Sequence, residues 1–366
     1  MLVNHFGRIA LTLQRDAMRL RKLIVDQGGW SGQIYFQHRV GEYRAMWQRV
    51  AAAQGATFTE LEPDLWQIDL GQRRIRILNH ELEFDNPVTL GLAGRKPAVH
   101  QLLHAAGLAV PEHASFTLDR LEDARRFVAQ HPRGCVIKPA AGYGGKGVTT
   151  HVHREGEVRR AALLASLYGS TLLVEAMIPG ESYRLLVLEG KVIHAVCRRG
   201  MRLQGDGAST VRQLLQAANK PRRAARLPPV RVDRDCLFTL AAQDMTLDSR
   251  PEAGQTLLAK SIPGRTRKYA ELRTVYTHPA SDLISESIRR DAEEAARIIG
   301  SDFLGVDVIT LDPSVPLAQS GGVINEVNTT PALHHHYDPS QQARPEVALK
   351  VMEALLARQP ATTGRI

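Results

Sequence analysis

The 366 residues carry a formal net charge of +9, with 43% hydrophobic residues, 23% charged residues and three cysteines. That balance is ordinary for a soluble chain long enough to bury two or three cores, and it excludes disordered, collagen-like and disulfide-stapled classes. No apolar run approaches the ~20 residues that a bilayer-crossing helix needs, and the opening MLVNHFGRIALTLQRDAMR has no uninterrupted apolar segment, so no membrane association and a cytoplasmic setting are expected.

In chain order, Leu11 to Val25 is amphipathic and ends at Gly28-Gly29; helix-like Glu42 to Gln54 and strand-like Leu65 to Leu78 follow. Residues 1–94 are therefore expected to form a small α/β lobe. Ala98 to Ala106 reads as a helix stopped by Gly107, with Pro111 beyond it, and Arg120 to His131 as a second helix ending at Pro132. Gly134 to Pro139 is a short buried strand running into a glycine-rich loop. Helix Glu155 to Leu167, strand Thr171 to Ala176 and the strands Tyr183 to Leu188 and Lys191 to Cys197 come next, the last two joined by a Glu189-Gly190 turn.

The segment from Gly205 to Leu283 breaks this regularity. It offers one capped helix, Ser209 to Asn219, and then the basic run Lys220-Pro221-Arg222-Arg223-Ala224-Ala225-Arg226. No aromatic residues interleave with that run, so it is read as a solvated loop and nucleic acid is not an expected partner. Ser281 or Asp282 is placed to cap a helix from Leu283 to Ile299, stopped by Gly300; strands Phe303 to Leu311 and Val323 to Asn328 and a closing helix Pro345 to Arg358 complete the chain. Cys135, Cys197 and Cys236 show no C-x-x-C spacing and are expected to be buried or inert thiols.

Three constellations carry chemistry. In KPAAGYGGKGVTT, Gly142, Gly144 and Gly147 match G-x-G-x-x-G, yet a strand-like Val148 to Val152 follows where a dinucleotide fold requires a helix. Lys146 is followed by Gly147-Val148, so the stretch is not a Walker A loop either. Strand, glycine turn and strand make a flap whose N–H groups can close over phosphates, with Lys138 adding a charge; a ligand-free surface hairpin is the alternative. Second, Asp307 on one apolar strand and Glu326 with Asn328 on another place three oxygen donors together, because residues two apart in a strand share a face. Such a set suits Mg²⁺ with substrate phosphates; a structural ion pair is the other way to satisfy those acids. Third, Leu172 to Arg184 is an apolar strand ending in Glu175 and loosening at Pro179-Gly180, where backbone groups would suit an adenine edge and Glu181 a ribose.

Taken in order, these elements resemble the ATP-grasp superfamily from about Arg95 to Leu333. Gly205-Asp206-Gly207-Ala208-Ser209-Thr210 with Asn219 is similar to a segment of cyanophycin synthetase and of the fused bacterial glutathione synthetase, and Asn328-Thr329-Thr330-Pro331 to the ending of D-alanine:D-alanine ligases. The resemblance implies an α+β ATP-grasp domain over residues 95–366 behind the α/β lobe, with a nucleotide-clasping part at 134–205 and a metal-bearing part at 206–366. It implies that Lys96 and Lys138 bind phosphates, although Arg95 stands where Asp is common. Gly142, Gly144, Gly145 and Gly147 would form the flap, and Glu175, Ala176, Met177, Ile178 and Glu181 the adenine and ribose site. Arg184, Arg199 and Arg273 would face the reacting phosphate, and Asp307, Glu326 and Asn328 would hold one or two Mg²⁺, with Mn²⁺ as a substitute.

The implied reaction activates a carboxylate with ATP and joins it to an amine, the substrates being amino acids, peptides or other small carboxylates and amines; a homodimer is compatible with it. The alternatives are an ester-forming or peptide-modifying ligase and a nucleotide-binding regulator without turnover. The glycine turn and the acidic pair are expected to meet around one triphosphate. No Mur-ligase-like module is expected after Leu333, and Thr274 to Pro279 lacks the glycine-rich stretch of relatives. Lys138→Met and Glu326→Gln are each expected to remove ATP turnover with the fold intact. His334-His335-His336 cannot all aim at one ion from a regular element, and are read as a substrate-pocket rim or a solvated loop rather than a zinc site.

Overall fold

Glu189 and Gly190, with φ of 48° and 75°, make the tight turn of a hairpin whose two central residues both need left-handed backbone. The strands it joins, Glu181–Leu188 and Lys191–Arg198, sit near the middle of a five-stranded antiparallel sheet. Its strand order is Thr277–Pro279, Lys191–Arg198, Glu181–Leu188, Phe303–Thr310, Val323–Thr329. The computed structural model describes residues 10–20, 30–142, 145–224, 230, 232–260, 277–336 and 346–358.

The chain divides into two compact units. The first takes the described residues within Met1–Gly32, Pro111–Met177 and Arg199–Tyr276; the second takes those within Gln33–Val110, Ile178–Arg198 and Thr277–Ile366.

In the second unit, register fixes which side chains share a face of the five-stranded sheet. Arg184 lies opposite Val196 and Asp307, Asp307 opposite Glu326, and Gly305 opposite Leu186 and Asn328. The opposite face is largely apolar, with Leu185, Val187, Leu304, Val306 and Val327 buried under the helix Glu286–Ile299 and its neighbours. Ser285 starts that helix by accepting from the Ile288 N–H, and Gly300 ends it at φ 71°. The cap expected at Ser281 or Asp282 is thus displaced, because Ser281–Leu283 closes a separate 3₁₀ turn first. The N-terminal lobe is a helix, Trp30–Ala53, on a four-stranded antiparallel meander. The strand expected over Leu65 to Leu78 is two strands, Leu65–Leu70 and Arg73–Leu78, turned at Gly71. Trp47, Trp66, Ile68, Ile75 and Ile77 pack there with Leu186, Leu188 and Phe303 of the large sheet and with the helix Glu346–Arg358.

The first unit holds a four-stranded antiparallel sheet in the order His113–Phe116, Leu172–Ala176, Cys135–Pro139, Thr149–Val152. One face, with Cys135, Ile137, Leu172 and Val174, is buried under the helices Leu121–Gln130 and Glu155–Ala165. Burial pushes the Cys135 thiol up to about 12, and all three cysteines are buried and free, as inert thiols should be. The irregular segment beyond Gly205 contains more structure than its pattern announced: a strand pair, Met201–Gln204 with Thr256–Lys260, and a helix, Arg234–Ala241. The helix expected to end at Asn219 runs from Val211 to Ala224 through Pro221, so Lys220 to Arg223 are helical rather than loop; Ala225 and Arg226 lie outside the described residues. Asn219 clamps Val230, donating to its carbonyl and accepting from its N–H. Asp206 organises the turn before that helix by accepting from the N–H groups of Ala208 and Ser209 and from the Ser209 hydroxyl.

Two stability outcomes follow from the caps. Ser285→Ala should lower unfolding free energy by about 1 kcal/mol in urea titration, because the Ile288 N–H loses its acceptor. Hydrogen bonds from Ser209 and then Ala208 lower the Asp206 carboxyl to about 2. A depressed carboxylate contributes stability above its unfolded value of ~3.9, and that contribution fades as pH falls towards the folded value. The stability difference between the parent and Asp206→Ala should therefore be full above about pH 4 and shrink towards pH 2; a pH-independent difference would show that the carboxylate form is not what the turn uses.

Candidate active site

The charged face of the five-stranded sheet carries a connected set of side chains. Arg184 grips Asp307 with two parallel bonds, Nε to Oδ1 at 2.6 Å and a terminal nitrogen to Oδ2 at 2.5 Å. Both side chains are over nine-tenths buried. The Asn328 amide donates to Asp307 Oδ2 at 3.3 Å, and Arg198 stands 3.7 Å from the same oxygen. Lys96, the first residue of the helix Lys96–Ala105, reaches Glu326 Oε1 at 3.2 Å. His100, one turn along that helix, holds the carbonyl of Asn325 at 3.0 Å through Nε2. Asn325 is the extra residue of a bulge: Asp307 pairs with Glu326 but Val308 with Ile324. A bulge of this kind re-aims the residues beside it, here Glu326 next to Asp307.

Alternation therefore brings Asp307, Glu326 and Asn328 together as expected, and the cations around them are Lys96, Arg184 and Arg198. Arg199, the arginine named from sequence, is the exposed neighbour of Arg198 and falls in the first unit. Strand parity is the signal that separates them, since Arg198 lies opposite Ser182, two residues from Arg184. Arg273 lies outside the described residues.

The donor set fits a hard divalent cation. Two carboxylates and an amide oxygen belong to adjacent strands, and hard cations of this kind take oxygen ligands. Among the described residues no group of three or more His, Cys, Asp or Glu could hold a metal. A cation here would complete its shell with other oxygens, as Mg²⁺ does with water and phosphate.

In the first unit, Lys138 and Glu175 project from the opposite face of the four-stranded sheet, on adjacent strands where Lys138 lies opposite Leu173 and Val136 opposite Glu175. Lys138 Nζ is 2.7 Å from Glu175 Oε2, and both side chains are buried. Past Pro139 comes the glycine turn. Gly142, Gly145 and Gly147 all have positive φ, and Gly144 lies outside the described residues. At Gly147 a Cβ would come within 2.7 Å of the Tyr168 ring and 3.1 Å of the Ala165 backbone, so the base of the turn is seated on the helix Glu155–Ala165. At the end of Leu172–Ala176 the Ala176 N–H donates to the Glu112 carbonyl and the Met177 N–H to that of Gly134. Two of the donors expected at an adenine edge are thus engaged within the backbone. Ile178 and Glu181 belong to the second unit, where Glu181 begins its strand opposite Thr310.

No protein-family profile matches the chain. It is 29% identical over 372 residues to a cyanophycin synthetase of Nostoc sp., an alignment that covers 96% of this chain and 40% of that protein. Similarity to the cyanophycin synthetase of Crocosphaera subtropica is 31% identity over 298 residues, covering 79% of this chain and 33% of the other. The glutathione biosynthesis bifunctional protein of Listeria innocua is 26% identical over 278 residues, covering 74% of this chain and 35% of the other. The chain thus spans 40% or less of the length of these curated relatives. Among solved structures, the bifunctional glutathione synthetase from Pasteurella multocida has a TM-score of 0.51 at 22% identity, covering 83% of this chain and 41% of that one, a likeness of fold.

Removing one member of a buried pair leaves the other charge stranded. Asp307→Ala should destabilise the protein by about 3–5 kcal/mol in urea unfolding, whereas Asp307→Leu combined with Arg184→Met should cost far less. Equal losses in the single and double variants would show that the two side chains are not coupled.

Proposed function

We propose, because this chain belongs to the ATP-grasp superfamily, that it is an ATP-dependent ligase joining a carboxylate to an amine with release of ADP and phosphate. The observation that carries the reading is the cluster of Asp307, Glu326 and Asn328 with Lys96, Arg184 and Arg198 on one sheet face. Oxygen donors for a cation and fixed positive charge for phosphate, set side by side, are what phosphoryl transfer requires. A cation at Asp307, Glu326 and Asn328, with Mg²⁺ favoured and Mn²⁺ able to replace it, would supply charge neutralisation on the phosphate oxygens.

The rest falls to the chain's own residues. Lys138 and the N–H groups of the glycine turn bind the nucleotide phosphates, and the segment from Glu175 to Met177 takes the nucleoside. Arg184 and Arg198 orient the substrate carboxylate as its oxygen bonds to the γ-phosphorus and the bond to ADP breaks. The amine then bonds to the acyl carbon, phosphate leaves with its electron pair, and the nitrogen gives up one proton. The substrates fall in the class of amino acids and peptides, and the cytoplasm, where ATP and amino acids are at hand, is the setting that suits the chemistry. No helix among the described residues is long and apolar enough to cross a membrane.

ADP release measured across a matrix of amino acids, pairing each acid with each amine, tests the reading. Release that needs one acid and one amine supports ligation, while nucleotide binding without turnover on any pair favours a regulator. Glu326→Gln and Lys138→Met should each lower turnover by about 10²-fold or more. Near-normal rates in both would remove the site assignment.

A further inference from the structure

Buried histidines of the second unit fall into two groups. His334 Nδ1 lies 2.9 Å from the Tyr43 hydroxyl and His336 Nδ1 2.9 Å from His194 Nδ1, so the histidine run is a packed turn, Leu333–His335, rather than a solvated loop. His100 stands apart. It is 1% exposed and addresses the main chain of the acidic strand, with Nε2 3.0 Å from the Asn325 carbonyl. A carbonyl only accepts, so Nε2 carries the hydrogen.

The place of that carbonyl in the sheet gives the bond its weight. Val323–Thr329 is an edge strand of the five-stranded sheet, and Asn325 is the residue inserted at its bulge. Continued regularly from the Val308–Ile324 pair, the ladder would set Asn325 opposite Asp307 and Glu326 opposite Val306. Glu326 would then lie on the apolar face, since a slip of one residue exchanges the two faces of a strand. The inserted residue instead sets Glu326 opposite Asp307 and Val327 opposite Val306, so that acids meet on one face and valines on the other. An edge strand has no second neighbouring strand to fix such an irregularity. Here the bulge is held from beyond the sheet: the Ile324 N–H donates to the Ala109 carbonyl, and the Asn325 carbonyl accepts from His100.

One arm of the chain supplies both bonds. Val99 and Leu103 of the helix Lys96–Ala105 lie in the core that includes Ile324 and Val327. Lys96 and His100, four residues apart and therefore on one side of the helix, meet consecutive residues of the strand: Lys96 the Glu326 carboxylate at 3.2 Å, His100 the Asn325 carbonyl. A buried imidazole is a costly filler beside Val99 and Leu103, and its bond to the carbonyl offsets that cost.

We propose that His100 is a positioning residue for the divalent cation, acting through the main chain: its hydrogen bond fixes the bulge at Asn325, and the bulge sets the Glu326 carboxylate beside Asp307. This rests on the ligase reading above, in which Asp307, Glu326 and Asn328 hold the cation. Loss of the bond lets the edge strand relax towards the regular ladder, in which Glu326 leaves the charged face. The three donors themselves remain, so the cation is held more weakly and not lost.

Calorimetry on the full chain decides it, with a non-hydrolysable ATP analogue titrated once in saturating Mn²⁺ and once in EDTA; the ratio of the two affinities is the gain due to the cation. His100→Leu should cut that gain about tenfold, as expected for one lost hydrogen bond, and leave the affinity in EDTA unchanged. His100→Gln, whose amide nitrogen reaches about as far as Nε2, should stay close to the parent, whereas His100→Asn, one methylene shorter, should fall with the leucine variant. That contrast is decisive even where the leucine variant does not fold. Glu326→Gln should lower the gain as well, and adding His100→Asn to it should change little more, because both act on one carboxylate. An unchanged gain in His100→Asn, a glutamine variant as weak as the asparagine one, or losses that add in the double variant would each overturn the proposal and leave the ligase reading standing. A parent protein that gains nothing from Mn²⁺, or does not bind the analogue, would overturn it too. ADP release by the parent across the acid and amine pairs judges the ligase reading separately.

Discussion

Asp307 and Arg184 sit at the centre of the large sheet with almost no water around them, on strands whose other face packs into a largely apolar core. Burying either charge alone would cost several kcal/mol, and only a two-bond guanidinium–carboxylate fork returns most of that. That constraint propagates outwards. The fork demands that both strands keep their register, because a slip of one residue would turn the charges into the core and the valines outwards. Register in turn fixes Glu326 beside Asp307 and Asn328 beside Gly305. Lys96 and Arg198 then complete a surface whose acids and bases are mutually neutralised.

Both units solve the same problem in the same way. Each has an antiparallel sheet with one face under helices, and a charged pair on the opposite face: Lys138 with Glu175 in one, Arg184 with Asp307 in the other. Antiparallel sheets tolerate this division because successive side chains alternate between faces. Holding the charges on strands rather than loops leaves them little freedom, and fixed charge that does not reorganise during reaction is what makes electrostatic stabilisation effective.

Much of this was legible in the sequence, and for identifiable reasons. The hairpin at Glu189-Gly190, the strands bearing Lys138, Asp307 and Glu326, and Gly142, Gly145 and Gly147 each carry a local signal of period two or of positive φ, and the structure has them where those signals point. What was missed depends on contacts distant in sequence. His100 meets the sheet through Asn325, far along the chain, so nothing near His100 announces it. Choosing Arg198 over Arg199 needs the strand's register and not merely its existence. The Met201–Gln204 and Thr256–Lys260 pair is short and its strands are separated by two helices among the described residues, with few buried apolar residues, such as Leu203 and Leu257, to announce it. Asp206 and Asn219, similar to a segment of known ligases, serve as a turn organiser and a loop clamp, which shows that a shared motif can preserve architecture rather than chemistry.

The N-terminal lobe explains why the charged face is only half charged. Leu186, Leu188 and Phe303 continue the same strands as Arg184 and Asp307, and without a cover they would expose a broad apolar surface to water. The lobe supplies that cover with Trp47, Trp66 and the isoleucines of its meander, and the helix Glu346–Arg358 adds the rest. The border between covered and uncovered halves falls at His194, where hydrogen-bonding side chains replace hydrocarbon. A border of that kind is sensitive to what the lobe presents, since moving the helix Trp30–Ala53 moves Tyr43 and with it the turn at His334.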